Sequence, residues 1–301
     1  MNQVFHGEQG YLDLTKYILN HGTNRNDRTN TGTKSIFHAT LAFDLTQGFP
    51  ALTTKKLFWN GVMGELLWFL SGRTDLESLR RFTYGKDNNQ KTIWDIDYTR
   101  WHNTGRRDVP VNEGGRLYGK QWRDFSSAWD DGVGREVGTH VDQIKTLLNT
   151  AATNPTSRRL LVSAWNAADI SEENMALPPC HVMHQLYIED GKLNLKWSGR
   201  SSDFLLGAPF NIASYAMLTH IYAHWLNLTP GMLISDLTNV HIYNTHIEAI
   251  EEQLTRTPYP LCTAPAIPDN FTLDTIDQFT ALDFPLINYQ SHPAIKAPMA
   301  G

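Results

Sequence analysis

Apolar side chains recur along much of the chain at helical spacing, and glycine or proline follows several of these runs. Helices are predicted where leucine, isoleucine and aromatic residues repeat every three or four positions. These stretches are "EQGYLDLTKYILNHG", "NGVMGELLWFLSG", "THVDQIKTLLNTAATNP" and "FNIASYAMLTHIYAHWLNL". The last is apolar on most sides and is expected to be buried. A shorter helix is predicted in "DLESLRRF", with Thr74 as its N-cap.

Other stretches have the composition of β-strands. "SIFHATLAFDL" predicts a strand that ends at the turn "QGFP", and "RRLLVSAWN" predicts a second strand. "CHVMHQLYIEDGKLNLKWSGRSSDF" predicts a hairpin around Asp190-Gly191, which puts Cys180 at the start of a strand. Residues 84–115 are polar and aromatic without a regular pattern, so we interpret them as an irregular excursion with "KTIWDIDYTRW" as its ordered part.

Composition indicates a globular protein and excludes some classes of partner. Of the 301 residues 41% are apolar, enough for a sizeable core, and no repeat or Gly/Ser linker divides them. We therefore predict one α/β or α+β domain over residues 1–301. A net charge of −5 gives no general attraction to nucleic acid or to an anionic membrane. No secretion signal is recognisable and no apolar run approaches the roughly 20 residues of a membrane-spanning helix, so a cytoplasmic protein is expected.

The two cysteines, Cys180 and Cys262, raise a question of chemistry. They could form one disulfide, but chains of this size in a reducing compartment normally keep their thiols free. The twelve histidines show no metal-ligand spacing with cysteine or acidic residues, so no metal is expected. From the residues alone, Cys180 is either a buried structural residue or a nucleophile.

Several charged residues stand where they could bind or react. Arg28, Arg158, Arg159 and Arg200 lie at the ends of predicted elements, where a guanidinium stays hydrated yet can reach a phosphate through paired N–H donors. Taken singly, each is more often a surface or salt-bridge residue. Glu65 lies within an apolar helix, where a carboxylate is costly unless it is paired or has a chemical role.

A series of segments gives these residues a context. In chain order they are "NDRTNTGT", "FPALTTKK", "ELLWFL", "TIWD", "YGKQWR", "SRRLLVSAWN", "LPPCH", "GRSSDFLLGAPFNIASYAMLTH", "VHIYNTHIE" and "HPAIKAP". Together they resemble thymidylate synthase from near residue 11 to the C-terminus, within a superfamily that also contains the pyrimidine nucleotide hydroxymethylases. The resemblance implies a large mixed sheet packed by helices, with one sheet face at a dimer interface.

The resemblance also implies a covalent mechanism with 5,10-methylenetetrahydrofolate as co-substrate. Cys180 looks like the nucleophile that adds to C6 of the uracil ring and makes C5 nucleophilic, a role that suits a soft thiolate. A thiol with a pKa of about 8.5 needs a positive field to ionise near neutral pH, and nearby arginines would supply it. Glu65 would relay protons to the ring oxygen and help expel the folate amine, and Tyr118 would assist removal of the C5 proton. His181, next to the cysteine, is grouped with these catalytic residues.

Nucleotide binding is implied for another set of residues. The phosphate would be bound by residues of two subunits in an obligate homodimer: Arg28, Arg200 and Ser201 of one and Arg158 and Arg159 of the other. Asn211 matches the uracil reader, since an amide can accept from N3–H and donate to O4, whereas an aspartate would suit cytosine. The expected substrate is therefore dUMP. His241 and Tyr243 match the pair that hydrogen-bonds the 3′-hydroxyl.

Six residues match the folate site: Lys55, Trp94, Leu177, Asp203, Gly207 and Phe210. Asp203 would anchor the pterin, Trp94 would form a wall of the pocket, and Lys55 would meet the folate tail. Plain core packing explains Trp94 equally well, because tryptophan is commonly buried. A surface lysine explains Lys55 equally well.

The chain also departs from the family pattern. That pattern has His, Arg, Trp, Pro, Gln and Asp where this chain has Phe58, Asn60, Asp97, Arg116, Gly199 and Asn239. The sequence also ends in "APMAG", whereas the family pattern ends in a larger apolar residue that helps to seal the site. After the folate amine has left, C5 carries an exocyclic methylene group. Loss of the second tryptophan and of the larger terminal residue should let water reach this methylene.

This departure favours a deoxyuridylate hydroxymethylase, as expected of a phage that makes hydroxymethyluracil DNA, over thymidylate synthase. Trp94 and Leu177, which would line the methylene, argue for the synthase. A third hypothesis is an inactive homologue that binds nucleotide or RNA as a regulator. The joint presence of Cys180, Glu65 and the arginines argues against it.

Overall fold

The computed structural model describes residues 4–27, 31–86, 88–104, 109–126, 128–130, 135–137, 139–171 and 174–299. The chain divides into two compact units. The first unit comprises residues 1–58, 186–265 and 286–301, and the second comprises residues 59–185 and 266–285. The predicted α/β class is confirmed, whereas the single domain stays a prediction.

The described residues form helices, strands and short 3-10 turns. The helices are α1 (Gly7–His21), α2 (Trp59–Ser71), α3 (Leu76–Tyr84), α4 (Trp94–Asn103), α5 (Tyr118–Arg123), α6 (Gln143–Thr153), α7 (Gly207–Leu226) and α8 (Ile247–Leu254). The strands are β1 (Val4–His6), β2 (Thr23–Arg25), β3 (Thr33–Asp44), β4 (Ala128–Asp130), β5 (Arg135–Val137), β6 (Leu161–Ser163), β7 (His181–Glu189), β8 (Lys192–Gly199), β9 (Ser202–Asp203) and β10 (Thr229–Tyr243). The 3-10 turns are Asn244–His246, Ile276–Gln278 and Ala281–Asp283.

These elements confirm most of the sequence pattern. The hairpin of β7 and β8 turns at Asp190 and Gly191, whose φ angles of 48° and 72° are the left-handed conformations that this two-residue turn requires. The prediction of Thr74 as the N-cap of α3 is wrong. Asp75 caps this helix by accepting a hydrogen bond from the Ser78 N–H at 2.7 Å, while the Thr74 hydroxyl donates to Glu113 at 3.0 Å.

The first unit contains a mixed sheet. Its strands lie in the order β1-β3-β10-β8-β7, while β2 pairs with β3 and β9 pairs with β10. β10 runs antiparallel to β3 and parallel to β8, so this 15-residue strand lies between them. The large mixed sheet packed by helices that the sequence indicated is confirmed.

One face of this sheet carries the core of the first unit. Alternate side chains of β8 and β10, such as Leu195 and Leu233, are buried, and α7 packs on both strands. The Trp197 ring stacks on Tyr215 of α7 with centroids 4.9 Å apart, and its indole N–H donates to Ser235 at 2.8 Å. The indole is therefore both packed and hydrogen-bonded, as a buried tryptophan requires.

The opposite face of the sheet is only half-buried in the single chain. It carries Ile36 and His38 of β3, Ile234 and Asp236 of β10, and the exposed Tyr187 of β7. Polar and apolar side chains therefore alternate with the buried ones, as expected for strands with one uncovered face.

The second unit is built around α2, an apolar helix with nine buried residues among thirteen. α3 and α5 pack against it. A Cβ atom at Gly119 of α5 would lie 2.9 Å from the Phe69 carbonyl oxygen, so only glycine lets α5 approach α2 this closely. β6 pairs antiparallel with the first half of β7, and α6 packs on α5 and β6. Among the described helices, none has the length and apolar character needed to cross a membrane.

Candidate active site

The residues assigned to catalysis and binding form two groups, one in each unit. The aromatic group, in the second unit, consists of Glu65, Phe69, Trp94, Tyr118, Cys180 and His181. The polar group, in the first unit, consists of Lys55, Arg200, Ser201, Asp203, His241, Tyr243 and His246.

Cys180 and Tyr118 meet through a short hydrogen bond in the aromatic group. The phenol oxygen of Tyr118, at the start of α5, accepts the backbone N–H of Cys180 at 2.6 Å. Cys180 is a half-buried reduced thiol and directly precedes β7, as predicted. The other cysteine, Cys262, is also a reduced thiol, and burial raises its pKa to about 11. Cys180 is thus the more accessible of the two thiols for reaction.

A pair of backbone segments brings these two residues together. Gly115 forms an antiparallel bridge with Met175. The Ala176 N–H donates to the Gly114 carbonyl at 2.9 Å, so residues 114–116 run alongside residues 174–176. Tyr118 follows the first segment and Cys180 follows the second. Pairing of the two segments therefore fixes the distance between phenol and cysteine.

The Tyr118 ring packs against other rings of the aromatic group. It stacks on the His181 imidazole with centroids 4.2 Å apart and lies 4.8 Å from the Phe69 ring. Burial lowers the pKa of His181 to about 3, so its imidazole is neutral at pH 7. His181 can therefore hold the phenol in place without adding charge to it.

Glu65, which is half-buried, supplies the carboxyl group of the aromatic group. Burial raises its pKa to about 7, although a hydrogen bond from the Trp94 indole N–H acts in the opposite direction. A carboxyl group with this pKa can both donate and accept a proton near neutral pH. The expectation that Glu65 must be paired or have a chemical role is met by the indole.

Trp94 is buried in a packed aromatic cluster. Only 6% of its surface is exposed, and its ring makes edge contacts with Trp68, Tyr98 and Tyr118 at centroid distances of 5.5, 6.2 and 6.2 Å. Core packing and the hydrogen bond to Glu65 thus occur together. Asp97, three residues on, forms an ion pair with Arg100, so a charged pair stands where the family pattern has a second indole.

In the polar group, β9 pairs with β10 so that Asp203 lies beside His241. His241 Nδ1 is 2.8 Å from the Asn239 carbonyl oxygen, and the Tyr243 ring stands nearly perpendicular to the imidazole at 5.1 Å. Arg200 and Ser201, both half-buried, follow the end of β8. The end of the sheet thus presents a row of polar side chains.

Asp203 is the best-connected residue of this group. Its carboxylate accepts the Leu205 and Leu206 N–H groups at 3.0 and 3.2 Å, just before α7, and lies 3.7 Å from His246 Nδ1. Burial alone would raise the pKa of Asp203, but His246 and these N–H groups hold it below its ordinary value. His246 Nε2 is 2.7 Å from the Pro298 carbonyl oxygen, so this nitrogen carries a proton. Sequence reasoning assigned no role to His246, although it lies within the quoted segment "VHIYNTHIE".

Lys55 lies close to the same carboxylate. It is only 6% exposed and its ammonium group donates to the Leu205 carbonyl. The surface-lysine alternative is therefore wrong. Burial lowers the pKa of Lys55 to about 8, while the charge of Asp203 acts in the opposite direction. The charge of Asp203 therefore favours the protonated form of Lys55, although the ammonium group bonds to the Leu205 carbonyl.

The first turns of α7 carry the uracil and folate candidates. Gly207 is the first residue of the helix, and Phe210 and Asn211 are half-buried one turn later. A Cβ atom at Gly199, where the family pattern has Gln, would lie 3.1 Å from the Trp197 ring and 3.3 Å from Leu237. Trp197 therefore occupies space that a longer side chain at this position would need.

The remaining candidates lie elsewhere. Arg158 and Arg159 are exposed on the segment between α6 and β6, and Leu177 is half-buried three residues before Cys180. Arg28 lies outside the described residues. Within the described part of the chain, no cluster of three or more His, Cys, Asp or Glu residues could hold a metal ion.

Comparisons with known proteins agree with the resemblance. A family model described as "Thymidylate synthase" matches residues 9–301. The probable thymidylate synthase of Escherichia phage T5 is 47% identical over 301 residues, which cover 97% of this chain and 99% of the phage protein. The thymidylate synthase of Herpesvirus ateles is 43% identical over 300 residues, or 99% of each chain. The thymidylate synthase of Saimiriine herpesvirus 2 is 46% identical over 297 residues, or 98% of this chain and 97% of the viral protein.

Proposed function

This chain belongs to the thymidylate synthase family, and from that premise we propose that it transfers a one-carbon unit from 5,10-methylenetetrahydrofolate to C5 of dUMP through Cys180. Family membership makes the chain a folate-dependent C5 transferase. The observation that carries the assignment of Cys180 is its 2.6 Å hydrogen bond to the Tyr118 phenol.

The aromatic group supports a covalent mechanism. The Cys180 thiolate forms a bond to C6, and the electrons of the C5–C6 double bond move to C5 and O4. The C5 atom then bonds the one-carbon unit as the first of the two folate nitrogens that hold this unit releases it. Tyr118 assists removal of the C5 proton, and Glu65, with a pKa of about 7, relays a proton to O4 and to the departing folate nitrogen. When the C6–S bond breaks, Cys180 leaves as a thiolate.

The folate supplies the one-carbon unit and, for a methyl product, the hydride that reduces it. Two of the residues assigned to it fit its chemistry. The Asp203 side chain keeps 24% of its surface exposed, so its carboxylate can accept N–H groups of a pterin. Trp94 offers a flat apolar ring whose N–H holds Glu65. We assign Lys55, Leu177, Gly207 and Phe210 to the same ligand by family resemblance.

Nucleotide binding is assigned to residues with suitable donors. Arg200 and Ser201 would bind the phosphate together with Arg28. His241 and Tyr243 would bind the 3′-hydroxyl, and Asn211 would read the uracil edge. Those among them that the structure describes lie at or near strand ends or in the first turns of a helix, where polar groups stay accessible.

We assign Arg158 and Arg159 to the phosphate of a second copy of the chain. Both are exposed, which suits residues that act outside their own subunit. The half-buried sheet face with Tyr187, 64% exposed, supports a homodimer because a second copy would cover it. Such a homodimer would complete two phosphate sites at once.

The product we propose is dTMP, because relatives 43–47% identical over nearly their whole length are named thymidylate synthases. The ion pair of Asp97 and Arg100 favours a second candidate, 5-hydroxymethyl-dUMP, since a charged pair in place of an indole attracts water. The paired Glu65 and the Tyr118–Cys180 contact argue against an inactive nucleotide- or RNA-binding regulator, which has no need of them.

One incubation tests the proposal. The chain is mixed with dUMP and 5,10-methylenetetrahydrofolate, the nucleotide is identified by mass, and the folate by its absorbance. We expect dTMP together with dihydrofolate. A nucleotide one oxygen heavier than dTMP, with tetrahydrofolate, would support the hydroxymethylase. No change in the nucleotide would overturn the transferase assignment.

A further inference from the structure

Arg116 is a buried charged residue whose hydrogen bonds connect it to the segment that precedes Cys180. It is 7% exposed, and its Nε lies 2.7 Å from Oδ2 of Asp169, which is 1% exposed. Its Nη2 donates to the Ser126 hydroxyl at 2.5 Å. Burial of such a pair costs free energy that is recovered only when its geometry is good and further hydrogen bonds are made.

Those further hydrogen bonds are present. The Gln121 amide donates to Asp169 at 2.8 Å and to the Arg116 carbonyl at 3.0 Å. The Asn166 amide donates to the Ser126 carbonyl at 2.9 Å. The guanidinium contacts Asp169 and Ser126, and the two amides extend this network, which joins residues 114–116, α5, Ser126 and the segment 166–169 of the second unit.

The network continues into the contact of phenol and cysteine. The Arg116 N–H donates to the Asn174 carbonyl at 3.0 Å, which is one of the bonds that align residues 114–116 with residues 174–176. Tyr118 lies two residues after Arg116. Cys180 lies four residues after this pairing ends. A shift of Arg116 would therefore move the phenol relative to the cysteine.

The family pattern has a proline where this chain has Arg116. A proline fixes its own φ angle but has no N–H, so it could not donate to Asn174. In this chain a backbone hydrogen bond and a buried ion pair replace the rigidity of the proline ring. Arg116 and Asp169 are 53 positions apart, so the pair also connects two distant parts of the chain.

We infer that Arg116 is a positioning residue, which fixes the position of the Tyr118 phenol relative to Cys180 for removal of the C5 proton. This inference rests on the proposed function. Misplacement of a reacting group by about 1 Å can cost about 100-fold in rate, so loosening this network should slow the chemical step more than it weakens binding of dUMP.

The test compares Arg116→Met and Arg116→Lys with the control Arg123→Met. Arg123 lies at the end of α5 and is also mostly buried, with Nε 3.0 Å from Asp142, but it belongs to neither group of site residues. The measurements are kcat, the KM for dUMP, the thermal midpoint, and the tritium isotope effect for dUMP labelled at C5. The isotope effect reports whether proton removal limits the rate, which a loss of stability alone does not change.

For Arg116→Met we expect kcat to fall about 10- to 100-fold and the isotope effect to rise, with KM within about twofold. Arg116→Lys keeps a charge next to Asp169 and should recover much of this loss, although an ammonium group cannot reproduce the guanidinium fork. Arg123→Met should lower the thermal midpoint while kcat stays within about threefold and the isotope effect is unchanged.

An unchanged isotope effect in Arg116→Met, or an equal rise in Arg123→Met, would overturn the inference. If Arg116→Met does not fold, Ser126→Ala tests the inference instead, because it removes only the hydroxyl that accepts a hydrogen bond from the Arg116 guanidinium. A higher isotope effect in Ser126→Ala would support the inference and an unchanged one would overturn it. If the unmutated chain releases no tritium, the proposed function fails first, and with it the premise of the inference.

Discussion

The aromatic group of the second unit and the polar group of the first unit are built in opposite ways. In the aromatic group His181 is neutral and Glu65 is half-protonated near pH 7, because burial lowers the pKa of His181 to about 3 and raises that of Glu65 to about 7. The polar group holds charges, with Asp203 kept ionised next to His246 and Lys55. A buried, weakly charged group suits bond-making and proton transfer, whereas a charged group suits binding.

This difference predicts which kinetic constant a substitution in each group should change. Substitutions in the aromatic group should lower kcat, because they alter groups that act in the transition state. Substitutions in the polar group should raise KM, because they remove binding interactions present before and during reaction. A variant that breaks this division would show that the assignment of the two groups is wrong.

The largest effect is expected for Cys180→Ser. We expect kcat to fall by about 10,000-fold or more, because a serine hydroxyl is hardly ionised at neutral pH and forms no thioether with C6. Tritium release from C5-labelled dUMP measures the loss. The matched control is Cys262→Ser, which changes the buried thiol of the first unit and should keep kcat within about threefold. Full activity of Cys180→Ser would remove the nucleophile from the account.

Glu65→Gln should be next, with kcat lower by about 100- to 10,000-fold, as for loss of a general acid. The acid form of Glu65 is lost as pH rises through about 7, so in the unmutated chain kcat/KM should decline as the pH is raised above this value. Because this pKa is raised in the folded state, the folded state binds the proton more tightly than the unfolded chain does. The free energy of unfolding should therefore fall as the pH rises from about 4.5 to 7.

In Glu65→Gln the decline of kcat/KM near pH 7 should be absent, and the fall in the free energy of unfolding should be smaller, since the raised pKa of Glu113 also contributes to that fall. Glu113→Gln is a suitable control, because Glu113 also has a pKa raised by burial but belongs to neither group. It should keep the decline of kcat/KM near pH 7. Persistence of that decline in Glu65→Gln would assign it to another residue.

Arg200→Ala tests the polar group. Loss of a charge-assisted hydrogen bond to phosphate should raise the KM for dUMP about 10- to 100-fold, with kcat within about tenfold of its original value. Initial rates at varied dUMP concentration measure both constants. Arg25→Ala, which removes an exposed arginine of β2 in the same unit, should change neither. A loss confined to kcat would contradict the binding role.

The smallest effect is expected for His246→Gln. The amide can still donate to the Pro298 carbonyl but carries no positive charge next to Asp203. We expect the KM for folate to rise about threefold to tenfold and the KM for dUMP to stay unchanged. Equal increases in both constants would mean that the substitution disturbs the whole polar group.

Local patterns in the sequence predicted much of the fold. The hairpin at Asp190-Gly191, the helix that ends at Gly72 and the position of Cys180 at the start of β7 follow from turn residues and apolar spacing. The predicted N-cap of α3 was wrong because Thr74 and Asp75 are both good capping residues. Only the hydrogen bond from the Ser78 N–H to the Asp75 carboxylate, at 2.7 Å, distinguishes them.

The site needed contacts that local pattern cannot supply. Tyr118 and Cys180 are 62 positions apart, and Lys55 and Leu205 are 150 positions apart. The roles of the site residues were predicted from the series of segments that resemble the family. The burial of Lys55 and the pairing of Arg116 with Asp169 depend on tertiary packing, which no segment shows. Arg116 stood out in the sequence only as a departure from the family pattern.

The central claim is that the Cys180 sulfur adds to C6 of the uracil ring, and 5-fluoro-dUMP tests it most directly. Fluorine at C5 cannot leave as a cation, so an adduct with methylenetetrahydrofolate should stop before the proton is lost. We expect the mass of the protein to rise by one fluoronucleotide plus one folate, with the added mass on the peptide that contains Cys180. No added mass, or added mass on the Cys262 peptide, would contradict the account.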